Sequence, residues 1–122
     1  MKNQAYRMTM LFDFYGELLT DRQKEFFDLY YNEDLSLAEI AENYGISRQG
    51  VRDAIVRAEG IMSEMEEKTG IIKRFFQAQD QLSSVAADLD AILARNSAKH
   101  EDPVLEEHAR KARAAIEQLM QE

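Results

Sequence analysis

An all-α fold, a helix-turn-helix bundle followed by a coiled-coil-like helical hairpin, is predicted for this 122-residue chain on three observations. Apolar residues recur at helical spacing almost end to end and nowhere alternate with a period of two. The five Gly and single Pro fall at only a few places, mostly where that spacing breaks. Thr20, Ser36 and Ser47 stand directly ahead of helical runs, where an N-cap belongs.

Six helices follow from these signals. The first, about residues 3–15, sets Met8, Leu11, Phe12 and Tyr15 on one stripe and ends near Gly16. The second starts at Thr20, where the hydroxyl can cap the helix and Gln23 can reach back, a capping box worth roughly 1 kcal/mol. Its inward stripe is Phe26, Phe27, Leu29 and Tyr30, and residues 32–35 break the pattern. Ser36 with Glu39 forms a second box, opening a short helix with Leu37, Ile40 and Ala41 inward and Gly45 just past its end. Ser47 caps the fourth helix, which runs to about residue 68, with Gly70 as its stop. The fifth continues to about residue 95. A polar connector then leads to the sixth, with Asp102 as N-cap and Pro103 as first helical residue. Residues 1–70 are thus expected to form the helix-turn-helix domain and residues 71–122 the hairpin, packed as one compact unit.

The stretch LAEIAENYGISRQGVRDAIV, residues 37–56, carries the most specific motif. A helix-turn-helix needs a small residue where its helices cross, Gly in the turn, and apolar residues facing back from the second helix. Ala41, Gly45, Ile46, Val51 and Ile55 meet those demands in order. Residues 18–62, including LTDRQKEFFDLYYNEDLSLAEIA and GISRQGVR, closely resemble region 4 of the bacterial sigma-70 factors, a four-helix promoter-reading domain. Over the whole chain, MTMLFDFYGELLTDRQ and YGISRQGVRDAI carry a closer resemblance to the YlxM family of small, acidic bacterial proteins with a sigma-region-4-like fold and a helical tail. That resemblance implies a gene usually beside that of the signal recognition particle protein. It also implies a regulatory role in that targeting pathway, with the particle protein or its RNA as partner.

At about 100° per residue, the helix begun by Ser47 turns Val51, Ala54, Ala58, Met62 and Met65 inward. Gln49, Arg52, Asp53 and Val56 face outward, with Arg48 at the flank. Arg48 and Arg52 match contacting positions of sigma region 4, which assigns Arg52 to a guanine edge and Arg48 to phosphate, with Gln49 suited to adenine. Against DNA readout stand Gly50 where the sigma pattern is commonly basic, the carboxylate of Asp53, the bare Val56, and Glu59, Glu64, Glu66 and Glu67 downstream. The whole chain carries a net charge of −8, and no basic arm compensates. DNA is therefore the disfavoured partner, and Val56 beside Arg57 suits a protein contact instead.

In the tail, Ile72, Phe75, Gln79, Leu82, Ala86, Leu89 and Leu93 recur at alternating spacings of three and four, a heptad pattern with one polar interruption. Gln79 either fixes register in a dimer or sits solvated at the seam edge. Leu105, Ala109, Ala112, Ile116 and Leu119 repeat the rhythm in the last helix, so an antiparallel return is expected. A hairpin alone leaves Ile71, Phe76, Ile92 and Met120 partly uncovered, and a homodimer with Phe75, Leu82, Leu89 and Leu93 at its seam is the expectation. A monomer whose tail folds back on the N-terminal aromatics is the alternative.

Other chemistry finds no foothold. Without Cys there is no disulfide, thiolate nucleophile or zinc knuckle, in keeping with a cytoplasmic protein. Arg7, Asp13 and Glu17 interrupt the N-terminal apolar residues before a signal peptide or membrane span can form. His100 and His108 have no metal-ligand spacing. The carboxylates of residues 64–67 read as a solvated helix end on which no second group converges, and Met8, Met10, Met62 and Met65 as core filler. No catalytic residue, cofactor or metal is assigned; the expectation is a protein that binds rather than catalyses.

Overall fold

The computed structural model describes residues 5–121 and among them shows six α-helices and no strand. The chain divides into two compact units, residues 1–72 and 73–122. Helices α1 (Ala5–Tyr15), α2 (Asp21–Tyr31), α3 (Leu37–Tyr44) and α4 (Arg48–Thr69) build the first, and α5 (Ile71–Arg95) starts at its end. The second holds the rest of α5, a π-helical turn at Asn96–His100, and α6 (Pro103–Gln121). The first two residues expected in α1, Asn3 and Gln4, lie outside the described residues.

Local chemistry sets the helix boundaries. Thr20 and Ser36 each close a full capping box, the hydroxyl accepting from the N3 backbone while Gln23 or Glu39 accepts from the cap's own N–H. Ser47 accepts from Gly50 N at 3.0 Å. Gly45 and Gly70 end α3 and α4 at φ 66° and 62°, a left-handed conformation costly to residues bearing Cβ. Asp102 Oδ1 accepts from Val104 N and Leu105 N, so it caps α6 as its position ahead of Pro103 predicts.

Two clusters make the core of the first unit. In one, Met8, Leu11, Tyr15, Leu19, Phe27, Ala58 and Met62 pack together, with Phe12 stacked on Phe27 at 4.8 Å between centroids. The other joins Phe26, Tyr30, Ile40, Ala41, Val51 and Ile55 and holds α3 against α2 and α4. Helix α4 serves both clusters through successive turns of one stripe, which is why it is the longest helix of this unit. Ala54 and Met65, expected inward, are half-buried at its edge.

One carboxylate departs from the solvated helix end expected of residues 64–67. Glu66 accepts a hydrogen bond from the Tyr15 hydroxyl at 2.6 Å and another from Ile72 N at 2.9 Å. The Thr69 hydroxyl sits 2.7 Å from that of Tyr15. Glu66 therefore ties α1 and the first turn of α5 to the end of α4, and a carboxylate at a helix N-terminus also favours the macrodipole. Glu64 keeps the solvated role, paired with Lys68 at 2.9 Å on the surface.

The hairpin of the second unit is antiparallel. Gln79 Nε2 donates to Met120 O, and Arg113 meets Asp90 at 3.0 Å. Helix α5 turns Phe75, Gln79, Leu82, Ala86, Leu89 and Leu93 inward, as its heptads predict. Helix α6 does not follow the expected stripe: Leu105, Ala112 and Leu119 are exposed, while Glu106, Ala109, Arg113, Ile116 and Met120 face inward. Both stripes contain Ala109 and Ile116, so a small rotation about the helix axis exchanges one for the other. The Asn96 side chain, buried at 3% exposure, bonds both Asp102 N and Asp102 O, locking that rotation. Asn96, which opens the π-helical turn after α5, thus continues the heptad spacing of that helix into the polar connector.

Candidate nucleic-acid or protein interface

Helix α4 starts at the surface and runs into the core, so its first two turns present side chains outward from a rigid base. Val51 and Ile55 are fully buried beneath it, whereas Arg48, Gln49, Arg52, Asp53, Val56 and Arg57 are exposed. The outward set anticipated for this helix is therefore brought together on one face. A Cβ at Gly50 would lie 3.2 Å from Ser47 Oγ, closer than most such contacts, so the cap itself favours the absence of a side chain there.

The two sides of this face differ. Arg48, Gln49 and Arg52 line an open groove of about 780 Å³ with Tyr30, Ser36, Leu37 and Ala38. Among the described residues, no salt bridge or side-chain hydrogen bond engages Arg48 or Arg52, so both guanidinium groups are available to an anion. Gln49 is less available: its Nε2 donates to Asp53 Oδ1 at 2.8 Å. Asp53 thus occupies the amide that would otherwise read a base edge.

On the other side a smaller depression of about 270 Å³ is lined by Thr20, Arg22, Gln23, Gly50, Asp53, Ala54 and Arg57. Arg22 lies 5.4 Å over the Phe26 ring and 6.0 Å from the Tyr44 ring, a stacking that orients its guanidinium. A hydrogen bond to Glu25, followed by partial burial, raises the Tyr44 pKa above the usual phenol value. Arg22 is not among the residues anticipated for this face, although its place one turn ahead of Phe26 is the signal for such stacking. Val56, 42% exposed, stands beyond both depressions with Arg57 next to it. Phe75, Leu82, Leu89 and Leu93, named for a dimer seam, lie half-buried on the inward stripe of α5.

The face presents two guanidinium groups without a partner among the described residues, a hydroxyl, an aromatic ring and one exposed aliphatic residue. Among the described residues no group of His, Asp or Glu could hold a metal ion, and no helix is long and apolar enough to cross a membrane. The family described as "Putative helix-turn-helix protein, YlxM / p13 like", UPF0122, matches residues 2–102. The chain belongs to this family. A UPF0122 protein of Thermoanaerobacter pseudethanolicus is 44% identical over 103 residues, 84% of this chain and 88% of the relative. One of Acetivibrio thermocellus is 46% identical over 90 residues, 74% and 77% of the two chains. One of Listeria monocytogenes is 44% identical over 89 residues, 73% and 81%. As a UPF0122 member, the chain has the helix-turn-helix at α3 and α4, and the face just described is that motif's outer surface.

Proposed function

We propose that this protein acts by binding, as a cytoplasmic accessory or regulatory protein of the signal recognition particle targeting pathway, with the outer face of α4 meeting the particle protein or its RNA. The pathway rests on the likeness to the YlxM family, in which the gene usually adjoins that of the particle protein. The observation that carries the surface is the groove that Arg48 and Arg52, without an ion pair among the described residues, line together with Ser36 and Tyr30. Guanidinium groups of this kind suit phosphate or carboxylate, and Val56 adds an apolar contact.

A second reading, a DNA-binding transcriptional regulator, is favoured by the same two arginines standing in the first turns of the helix that a helix-turn-helix inserts into the major groove. Magnitudes argue against it. The cations on this face are Arg22, Arg48, Arg52 and Arg57, and neutralising one phosphate each gives a salt slope of about −3.6, against 6–10 contacts for a tight duplex binder. Asp53 and the net charge of −8 weaken the grip further.

The test titrates the protein against particle protein, particle RNA and labelled genomic DNA fragments at two salt concentrations. The accessory reading expects a complex with particle protein or RNA that Arg52→Ala or Val56→Asp weakens. Sequence-specific DNA binding that falls steeply with salt and vanishes in Arg52→Ala, with no particle complex, replaces it with the regulator reading.

A further inference from the structure

The two flanks of the C-terminal hairpin differ: one carries a charged cluster, with Phe76 exposed on the same flank nearer the start of α5, and the other carries no charge. With heptad letters a and d assigned to the inward stripes, Asp90, Arg110 and Glu117 all fall at e positions. They gather on one flank, where Arg113 bridges Asp90 at 3.0 Å and Glu117 at 2.7 Å and Arg110 lines the same depression. In antiparallel helices e stands beside e and g beside g. The other flank is therefore built from g positions: Ala78, Val85 and Ile92 of α5 with Leu105, Ala112 and Leu119 of α6. All six are apolar and exposed, and the four large ones keep 41–51% of their surface open. A two-helix hairpin with nothing more to bind would carry charge at such positions.

We propose that this g flank joins two copies of the chain, hairpin against hairpin, in a four-helix arrangement; the inference is independent of the reading of the α4 face. Three arguments select a second copy as the occupant. The flank repeats every seven residues along both helices, about 10.5 Å per repeat, and a surface of the same repeat interdigitates with it along its length. No charge stands on the six g positions, so self-apposition sets no like charges together, while a charged peptide or nucleic acid finds no counter-charge there. An anionic bilayer is disfavoured by the chain's net −8. Finally, the extent is sufficient. The shorter arm, α6 with its 19 residues, spans about 28 Å, and two helices side by side are about 20 Å wide. Pairing two such faces buries about 1,100 Å², above the roughly 1,000 Å² that a specific interface should clear.

Sedimentation equilibrium of the full chain tests this. The expected result is a mass of twice 14.1 kDa that returns to 14.1 kDa in Ile92→Glu/Leu119→Glu, with the helical circular dichroism unchanged. Because the chain has no cysteine, single-cysteine variants give a second readout that does not depend on charge insertion. Val85→Cys, in the middle of the flank and so nearest a two-fold axis through it, is expected to cross-link between copies with a short bis-maleimide. Ser83→Cys, at an e position on the polar flank, is not. A wild-type chain that stays at 14.1 kDa across the concentration range, a dimer that survives the double substitution, or cross-linking through position 83 rather than 85 overturns the proposal.

Discussion

Removing a single oxygen from Tyr15 tests whether the end of α4 is tied down as described. Tyr15 is 5% exposed, and its hydroxyl donates to the Glu66 carboxylate while the Thr69 hydroxyl lies 2.7 Å away. Tyr15→Phe keeps the ring and its packing against Leu11 and Leu19 but deletes a hydrogen bond to a charged acceptor, worth about 1.5–3 kcal/mol. Part of the loss is offset, because Glu66 retains Ile72 N and Thr69 Oγ1 still accepts from Ile71 N. The net cost is therefore expected near the lower end, about 1.5–2 kcal/mol. At about 4–8 °C per kcal/mol for a unit of this size, Tm falls by about 6–16 °C. Thermal unfolding followed by circular dichroism measures it, with Glu67→Gln as a control on an exposed neighbour expected to stay within about 0.5 kcal/mol. Glu66→Gln and the double variant complete a cycle whose coupling should reach about 1 kcal/mol. A Tyr15→Phe protein as stable as wild type, or additive single costs, refutes the tie.

Further outcomes are expected from other parts of the molecule. Phe27→Ala empties a site of 0% exposure between Phe12 and Tyr31 and should cost about 3–5 kcal/mol in urea unfolding. Burial, with hydrogen bonds to Glu66 and Glu59 respectively, raises the pKa of Tyr15 and Tyr31 above the unfolded phenol value. The folded state thus favours the protonated forms: their contribution is complete below about pH 10 and is lost as pH rises past it. Stability should be flat through neutral pH and decline above 10, less steeply in Tyr31→Phe, as alkaline melting curves will show. Asn96→Ala takes the acceptor from Asp102 N–H and one of two donors from Asp102 C=O, which keeps Glu106 N, and should cost about 1 kcal/mol, with faster amide exchange confined to the hairpin. Asp53→Asn removes a carboxylate from the α4 face, so any nucleic acid bound there should bind several-fold more tightly, an effect that fades at high salt; unchanged affinity at low salt would place the contact elsewhere.

The helices and their ends are legible in the chain because each signal is local. A hydroxyl three residues ahead of Gln23 or Glu39, a glycine after Tyr44 or Thr69, and a proline after Asp102 act through bonds spanning a single turn. The helix-turn-helix is legible for a related reason: the crossing of α3 and α4 makes steric demands at fixed spacing, met by Ala41, Gly45, Val51 and Ile55. The outward face of α4 follows from periodicity once Ser47 marks its start, so Arg48, Arg52, Val56 and Arg57 are found where the helix must put them.

What tertiary structure alone decided is how each helix is rotated and which distant groups then meet. In α6 two neighbouring stripes share Ala109 and Ile116, and their hydrophobicity favours the one carrying Leu105 and Leu119. The Asn96–Asp102 closure selects the other, turning those leucines out and creating the apolar flank. Glu66 reads as one surface carboxylate among several until α1 brings Tyr15, 51 positions away, within 2.6 Å. Periodicity encodes which residues share a face; it does not encode which face of one helix meets which face of another, because that depends on contacts between residues far apart in the chain.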